Sequence, residues 1–164
     1  MTMPDHQKTA GVIAPPPLIA LAAVVLGFAL DWLFPAFVLQ LLLSFTTRIV
    51  AGIALIAAGA ALAVAGRNVF VRSGTNVNPY KPVTALVTTG IYNYVRNPMY
   101  VGLALLVAGI GVAFASDWIL VMLVAQLLII HFGVIRREER FLEAKYGDDY
   151  RRFRARVPRY GIPI

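Results

Sequence analysis

The chain contains no cysteine, which excludes disulfides, thiolate nucleophiles and cysteine-based metal sites. Histidine is almost absent too, and the two present, His6 and His131, are too few to build a metal cage. Charge is scarce, at 14% of 164 residues against about 25% in an ordinary soluble domain. What charge there is leans one way, with fifteen Lys and Arg against eight Asp and Glu. In a soluble protein the net +7 would suggest nucleic acid. Here nine of the fifteen basic residues lie from Arg136 onward, directly beyond an apolar run, which is the pattern of a cytoplasmic membrane collar. Neither a metal nor nucleic acid is expected as a partner, and any chemistry must use oxygen, nitrogen or a borrowed cofactor.

Apolar residues fill the space that charge leaves, at 59% of the chain. Four runs, approximately residues 18–34, 49–65, 99–115 and 118–135, are each long enough to span most of a hydrocarbon core of about 30 Å at about 1.5 Å per residue. The first follows Pro15–Pro17 and is broken only by Asp31. Lys8 ahead of it allows a signal-peptide reading, but no convincing small-residue cleavage site follows, so it reads as a retained span. Phe37 to Phe45 is apolar but short, and reads as interfacial or as an extension of the next helix.

In the second run Ala57, Ala61 and Ala65 recur every four residues, with Gly52 and Gly59 as further small positions. Such a face lets another helix approach closely, although alanine is also simply a helix former that lipid tolerates. The third and fourth runs, joined through Ser116 and Asp117, predict a helical hairpin. Between the second and third, Gly66 to Asn97 holds Arg67, Arg72, Lys81 and Arg96 among Pro79, Pro82 and Gly90, a composition too rich in breakers for one helix.

These features predict an all-α integral membrane protein, a single domain over residues 1–164. It has about four transmembrane helices, a C-terminal helical hairpin and an amphipathic cytoplasmic tail. The polar loop and the tail hold most of the Lys and Arg, whereas the two opposite connections have only Arg48, so loop, tail and both termini are expected on the cytoplasmic side. The most polar parts of the chain then meet at one membrane face.

Two stretches on that face bear on function. In "RNPMY", Arg96 to Tyr100, a structural reading is available: Asn97 as N-cap, Pro98 at the first helical position, Arg96 snorkelling to head groups and Tyr100 in an aromatic belt. The tail resists so plain an account. Arg136, Arg137, Glu138 and Glu139 continue the fourth run out of the bilayer, with His131 and Glu138 seven residues apart and on nearly the same face of an α-helix. Gly147 stops that helix, and Asp148 to Arg156 is a short basic segment suited to the interface. A lipid anchor explains the arginines but not paired glutamates.

Together, "LVTTGIYNYVRNPMYVG" (Leu86 to Gly102) and, after the hairpin, "EERFLEAKYGDDYRRFRARVPR" (Glu138 to Arg159) resemble the isoprenylcysteine carboxyl methyltransferase family and its phospholipid methyltransferase relatives. These are integral membrane enzymes that use S-adenosylmethionine. The resemblance covers roughly Thr75 to Pro163. It implies that the cofactor is wrapped by segments 75–102 and 136–163, with Leu86, Val87, Tyr92, Arg96, Asn97, Pro98, Tyr100, Glu138 and Glu139 as binding residues. Arg96 and Glu139 are the expected catalytic pair, and Arg136 and His131 stand on the acceptor side. Asn97 departs from the family's histidine; it can exchange hydrogen bonds but carries no proton.

The residue types suit the cofactor. Its sulfonium and ammonium need carboxylates and aromatic faces, and its carboxylate needs a guanidinium or amide. No Rossmann fingerprint is present, because the G-x-G of Gly109 to Gly111 lies within an apolar run with no strand before it. The acceptor is expected to be lipidic or amphiphilic. A carboxylate, as in prenylcysteine, needs only a cation such as Arg136 or Arg137, whereas an amine, as in phosphatidylethanolamine, needs a base. A non-catalytic assembly or scaffold protein, packed through the alanines and bound to membrane lipid by the tail, is the alternative of another class. A transporter is disfavoured because, apart from Asp31 near a span end, only Gln126 and His131 are strongly polar within the runs.

Overall fold

The computed structural model describes residues 9–76 and 83–161. His6, Lys8, Pro79, Lys81, Pro82 and Pro163 lie outside the described residues. Helices α1 (Pro16–Leu33), α2 (Val38–Leu42) and α3 (Phe45–Arg72) are followed by a 3₁₀ turn at Gly90–Asn93. Then come α4 (Pro98–Phe114), α5 (Asp117–Ile130), a π-helical segment (His131–Ile135), α6 (Arg136–Tyr146) and α7 (Asp148–Arg156). No strand occurs among the described residues. Three helices are long and apolar enough to cross a membrane, namely α1, α3 and the continuous rod from Asp117 to Tyr146, while α4 is a shorter apolar helix of 17 residues.

The boundaries follow local chemistry. Pro16 sits in the first turn of α1, where its missing N–H costs nothing, and the helix stops at Leu33, ahead of Pro35. Ser44 caps α3 by accepting the Thr47 N–H at 3.2 Å. Helix α3 is longer than expected at both ends: it starts at Phe45 rather than Ile49, and it runs on through Gly66 to Arg72. The breakers of the polar loop are concentrated after Ser73, so the preceding residues can extend the helix beyond the hydrocarbon. The α4–α5 hairpin turns at Ala115, a left-handed residue, and at Ser116, whose hydroxyl accepts the Ile119 N–H.

Helix α3 packs most extensively against α4, and α1 against α5. The face that mediates the first contact is not the alanine face: Ala57, Ala61 and Ala65 are exposed, whereas Gly52, Gly59 and Gly66 are buried. These glycines recur every seven residues; Gly52 meets Gly109 of α4, Gly59 meets Gly102, and Gly66 meets Pro98 and Met99. A methyl group on Gly59 would come within 2.6 Å of the Gly102 carbonyl oxygen, so the backbones touch. Lipid tails give no hydrophobic reward for pairing two apolar helices, and close packing through residues without side chains supplies the attraction instead.

The end of the bundle away from the basic tail is latched by polar groups. Ser116 donates to Asp31, which explains the lone acid of α1. Asp117 accepts the Val38 and Leu39 N–H groups at 2.8 and 3.1 Å, and Trp118 Nε1 donates to the Phe34 carbonyl at 2.6 Å.

Gly59→Leu is expected to destabilise the detergent-solubilised protein by about 2–3 kcal/mol through overpacking. Ala61→Leu, on the exposed face, should change stability by less than about 0.5 kcal/mol. Thermal unfolding followed by circular dichroism measures both, and equal effects would refute the glycine contact.

Candidate active site

At the opposite end, where the basic residues gather, the start of α4, the loop before it, α6 and α7 enclose a cavity. Its wall includes Leu86, Val87, Tyr92, Arg96, Asn97, Tyr100, Glu138 and Glu139, with Phe70, Leu142, Tyr150 and Phe153 among the apolar and aromatic contributors. Eight of the nine expected cofactor residues therefore share one cavity. The ninth, Pro98, is buried beside it at the first turn of α4.

The loop is held in place from both sides. Thr84 donates its N–H to Thr75 Oγ1 and its hydroxyl to the Gly74 carbonyl, both at 3.1 Å. Val87, Tyr92, Tyr150, Phe153 and Val157 form one buried apolar cluster, so α7 is tucked against the loop. Gly147, with φ of +54°, makes the turn between α6 and α7 that a side-chain-bearing residue would strain.

Glu139 is the ionic centre. Its Oε1 accepts from Arg96 Nη1 at 2.7 Å and Arg159 Nε at 2.8 Å, and its Oε2 from Arg159 Nη2 at 2.7 Å. Arg96 and Glu139 are almost fully withdrawn from solvent, with side chains 9% and 11% exposed. Arg96 also donates to the Val157 carbonyl at 2.9 Å and to the Tyr150 hydroxyl at 3.3 Å. Burial, and then the Glu139 charge, push the Tyr150 hydroxyl up to about 12, so it stays protonated. Asn97 occupies the N-cap position but makes no capping bond; its side-chain amide donates to the Arg159 carbonyl at 3.2 Å.

Glu138 is treated differently. It accepts from the Tyr100 hydroxyl at 2.7 Å and makes no ion pair with a described residue. Tyr92, also on the cavity wall, has a buried hydroxyl without a hydrogen-bond partner. Burial first, and the Glu138 charge second, hold that hydroxyl above the usual phenol range, so it remains a donor. The cavity wall thus carries a guanidinium, an amide, a carboxylate that no described cation pairs, and a donor with no partner among the described residues, all set among apolar side chains.

The two acceptor-side residues are not part of this wall. His131 shares a hydrogen bond with the Tyr160 hydroxyl at 2.6 Å, and Arg136 is exposed, its guanidinium 5.6 Å from the centre of the Phe132 ring. Arg137 donates to the Gly11 carbonyl at 2.8 Å. The physical cause is the π-helical segment: its wider turn breaks the 3.6-residue period that would have aligned His131 with Glu138. Tyr150 and Arg159, by contrast, were not expected at the site. A signal for them exists, since a carboxylate emerging from an apolar helix needs cations, and the arginine-rich tail after Gly147 is the nearest supply.

The phospholipid methyltransferase family model matches residues 47–149, well over half of the chain. The chain belongs to this family. Protein-S-isoprenylcysteine O-methyltransferase of Schizosaccharomyces pombe is 38% identical over 80 residues, which is 48% of this chain and 33% of the relative. The chain therefore spans about a third of the length of that curated relative. No solved structure matches it. In this member of the phospholipid methyltransferase family, Tyr150 and Arg159 lie beyond the matched stretch, although they close the site built within it.

Glu139→Gln leaves two guanidinium groups around a neutral amide and is expected to cost about 3 kcal/mol of stability. Tyr92→Phe removes a hydroxyl that has no partner, so stability should be unchanged or slightly higher. Thermal unfolding of the two variants beside wild type checks both signs.

Proposed function

We propose that the chain is a single membrane methyltransferase-like domain that uses S-adenosylmethionine to methylate a lipidic or amphiphilic acceptor, with the site and both termini at the cytoplasmic face. The observation that carries this reading is the meeting of the Arg96–Tyr100 box and the Glu138–Glu139 pair on one cavity wall. The activity printed in the yeast relative's name supports it, as does the family.

The chain's residues fit the cofactor group by group. Arg96 and Asn97 suit its carboxylate, and Glu138 with Tyr100 suits its cationic end. Phe70, Phe153, Leu86 and Val87 offer aromatic and aliphatic surface to its base. The unpartnered Tyr92 hydroxyl is a donor that such a polar ligand satisfies, and Pro98 sets the helix start that aims Arg96 and Tyr100. When bound, the cofactor supplies a methyl group already activated by a sulfonium. The protein's work is then to position the acceptor, exclude water and, where needed, take a proton.

A carboxylate acceptor would need a free cation, and the arginines expected for that role, Arg136 and Arg137, stand away from the cavity wall. Glu138, which makes no ion pair among the described residues, is the group that would take a proton from an amine acceptor, while the relative's printed name supports the carboxyl O-methyl reading. A purely scaffolding role relied on the alanine face, which is exposed, and it leaves the orphaned Tyr92 hydroxyl without a purpose.

Calorimetry of S-adenosylmethionine against the detergent-purified protein is expected to give saturable binding, weakened at least about tenfold, or about 1.4 kcal/mol, by Glu138→Gln. Labelled-methyl transfer to phosphatidylethanolamine and to a prenylated cysteine, each in nanodiscs, then separates the two acceptor classes. Well-folded wild-type protein that binds no cofactor would sink the proposal.

A further inference from the structure

After α7 the chain turns back beneath the start of α4. Three successive carbonyls of this strap take hydrogen bonds from the helix mouth: Val157 from Arg96 Nε at 2.9 Å, Pro158 from the Arg96 N–H at 3.0 Å, and Arg159 from Asn97 Nδ2 at 3.2 Å. Tyr160 fixes the far end through its 2.6 Å hydrogen bond to His131. Between these anchors Arg159 lays its guanidinium across both oxygens of Glu139. The whole strap lies beyond the stretch that the family model matches.

The charges of this cluster do not balance. Arg96 and Arg159 share one carboxylate, leaving one surplus positive charge between a nearly buried Arg96 and an Arg159 that is 30% exposed. Arg96 and Glu139 alone would have been neutral, and a charge withdrawn from water without a partner is costly. One edge of Arg96 is also uncommitted, because its Nη2 makes no hydrogen bond to a described residue, and Arg96 lines the cavity. A guanidinium with a free edge and unspent charge is built for an anion.

Resting on the cofactor reading above, we propose that Arg159 is a positioning residue of the cofactor site. By satisfying Glu139 it leaves the free edge of Arg96 to the cofactor's carboxylate, and the strap acts from behind the cavity wall by holding Arg159 against Glu139. Without Arg159, Glu139 has one cation to itself and draws the Arg96 fork into a closed pair, so the anion-binding pole is lost. Glu138, on the same cavity wall, remains for the cofactor's cationic end, so the cavity offers groups for both charges of a zwitterion.

The test is calorimetry of full-length protein with S-adenosylmethionine and with S-adenosylhomocysteine, which keeps the carboxylate but has lost the sulfonium charge. Arg159→Gln is expected to weaken both ligands alike, by about thirtyfold, equivalent to about 2 kcal/mol. Arg159→Lys should recover most of that affinity even if its Tm stays low, because the charge returns without the bidentate grip. Tyr160→Phe, which loosens the strap without touching the charges, should leave both affinities within about twofold of wild type. A merely structural role would instead lower the Tm of Arg159→Gln with unchanged affinity in the folded protein, and that result overturns the proposal. Equal losses in Tyr160→Phe and Arg159→Gln overturn it as well. Failure of wild-type protein to bind either ligand overturns the cofactor reading and this inference together.

Discussion

A carboxylate at the edge of a membrane must be met by cations, and Glu139 is met by two. The cost of removing one ion from water is several kcal/mol, recovered only when geometry and hydrogen bonding are both good. Here Arg96 arrives from the mouth of α4 and Arg159 from the strap after α7, with Tyr150 filling out the Arg96 coordination. Two segments remote from it in sequence thus converge on one side chain, and a third reaches it through Arg96. The position of α7, the path of the strap and the orientation of the helix mouth all follow from satisfying it.

The two ends of the bundle solve the same problem by different means. Away from the basic tail, Asp31, Ser116, Asp117 and Trp118 use short neutral or charge-assisted hydrogen bonds to backbone and hydroxyl groups. Along the middle, the glycines of α3 and α4 let two backbones touch, which is how apolar helices associate in a solvent as apolar as themselves. Among the described residues, ion pairs occur only at the basic end. There, too, a carboxylate without an ion pair and a tyrosine hydroxyl without a hydrogen bond to any described residue share one cavity wall, whereas the unpaired Gln126 amide lies inside the bundle.

Much of this was legible in the sequence, in proportion to how local each cause was. The apolar runs gave α1, α4 and α5 to within a few residues, because their length and composition are local properties. The box at Arg96 to Tyr100 and the pair at Glu138 and Glu139 were legible as chemistry because residues of those types are rare beside apolar runs. The packing face of α3 was misread because alanines every four residues are a more conspicuous pattern than glycines every seven, although a backbone contact needs the smaller residue. His131 and Arg136 stand off the cavity wall, a position not legible in the sequence because a π-helical segment has no strong sequence signature and shifts everything before it in register. Arg159 was invisible as an individual because nothing local distinguishes it from its eight basic neighbours in the tail; only the fold brings it to Glu139.

The shortness of α4 has a consequence for the lipid around it. Seventeen helical residues rise about 26 Å, a few ångströms less than a hydrocarbon core of about 30 Å. The glycine contacts fix α4 against the much longer α3, so the mismatch is met by thinning of the leaflet, by snorkelling of flanking residues or by association with other helices. If that thinning falls at the Arg96 end, the cavity opens at the depth of the headgroups themselves. For the lipidic acceptor proposed above, entry by lateral diffusion at that depth would keep its chains in the bilayer and avoid the energetic penalty of extracting a lipid.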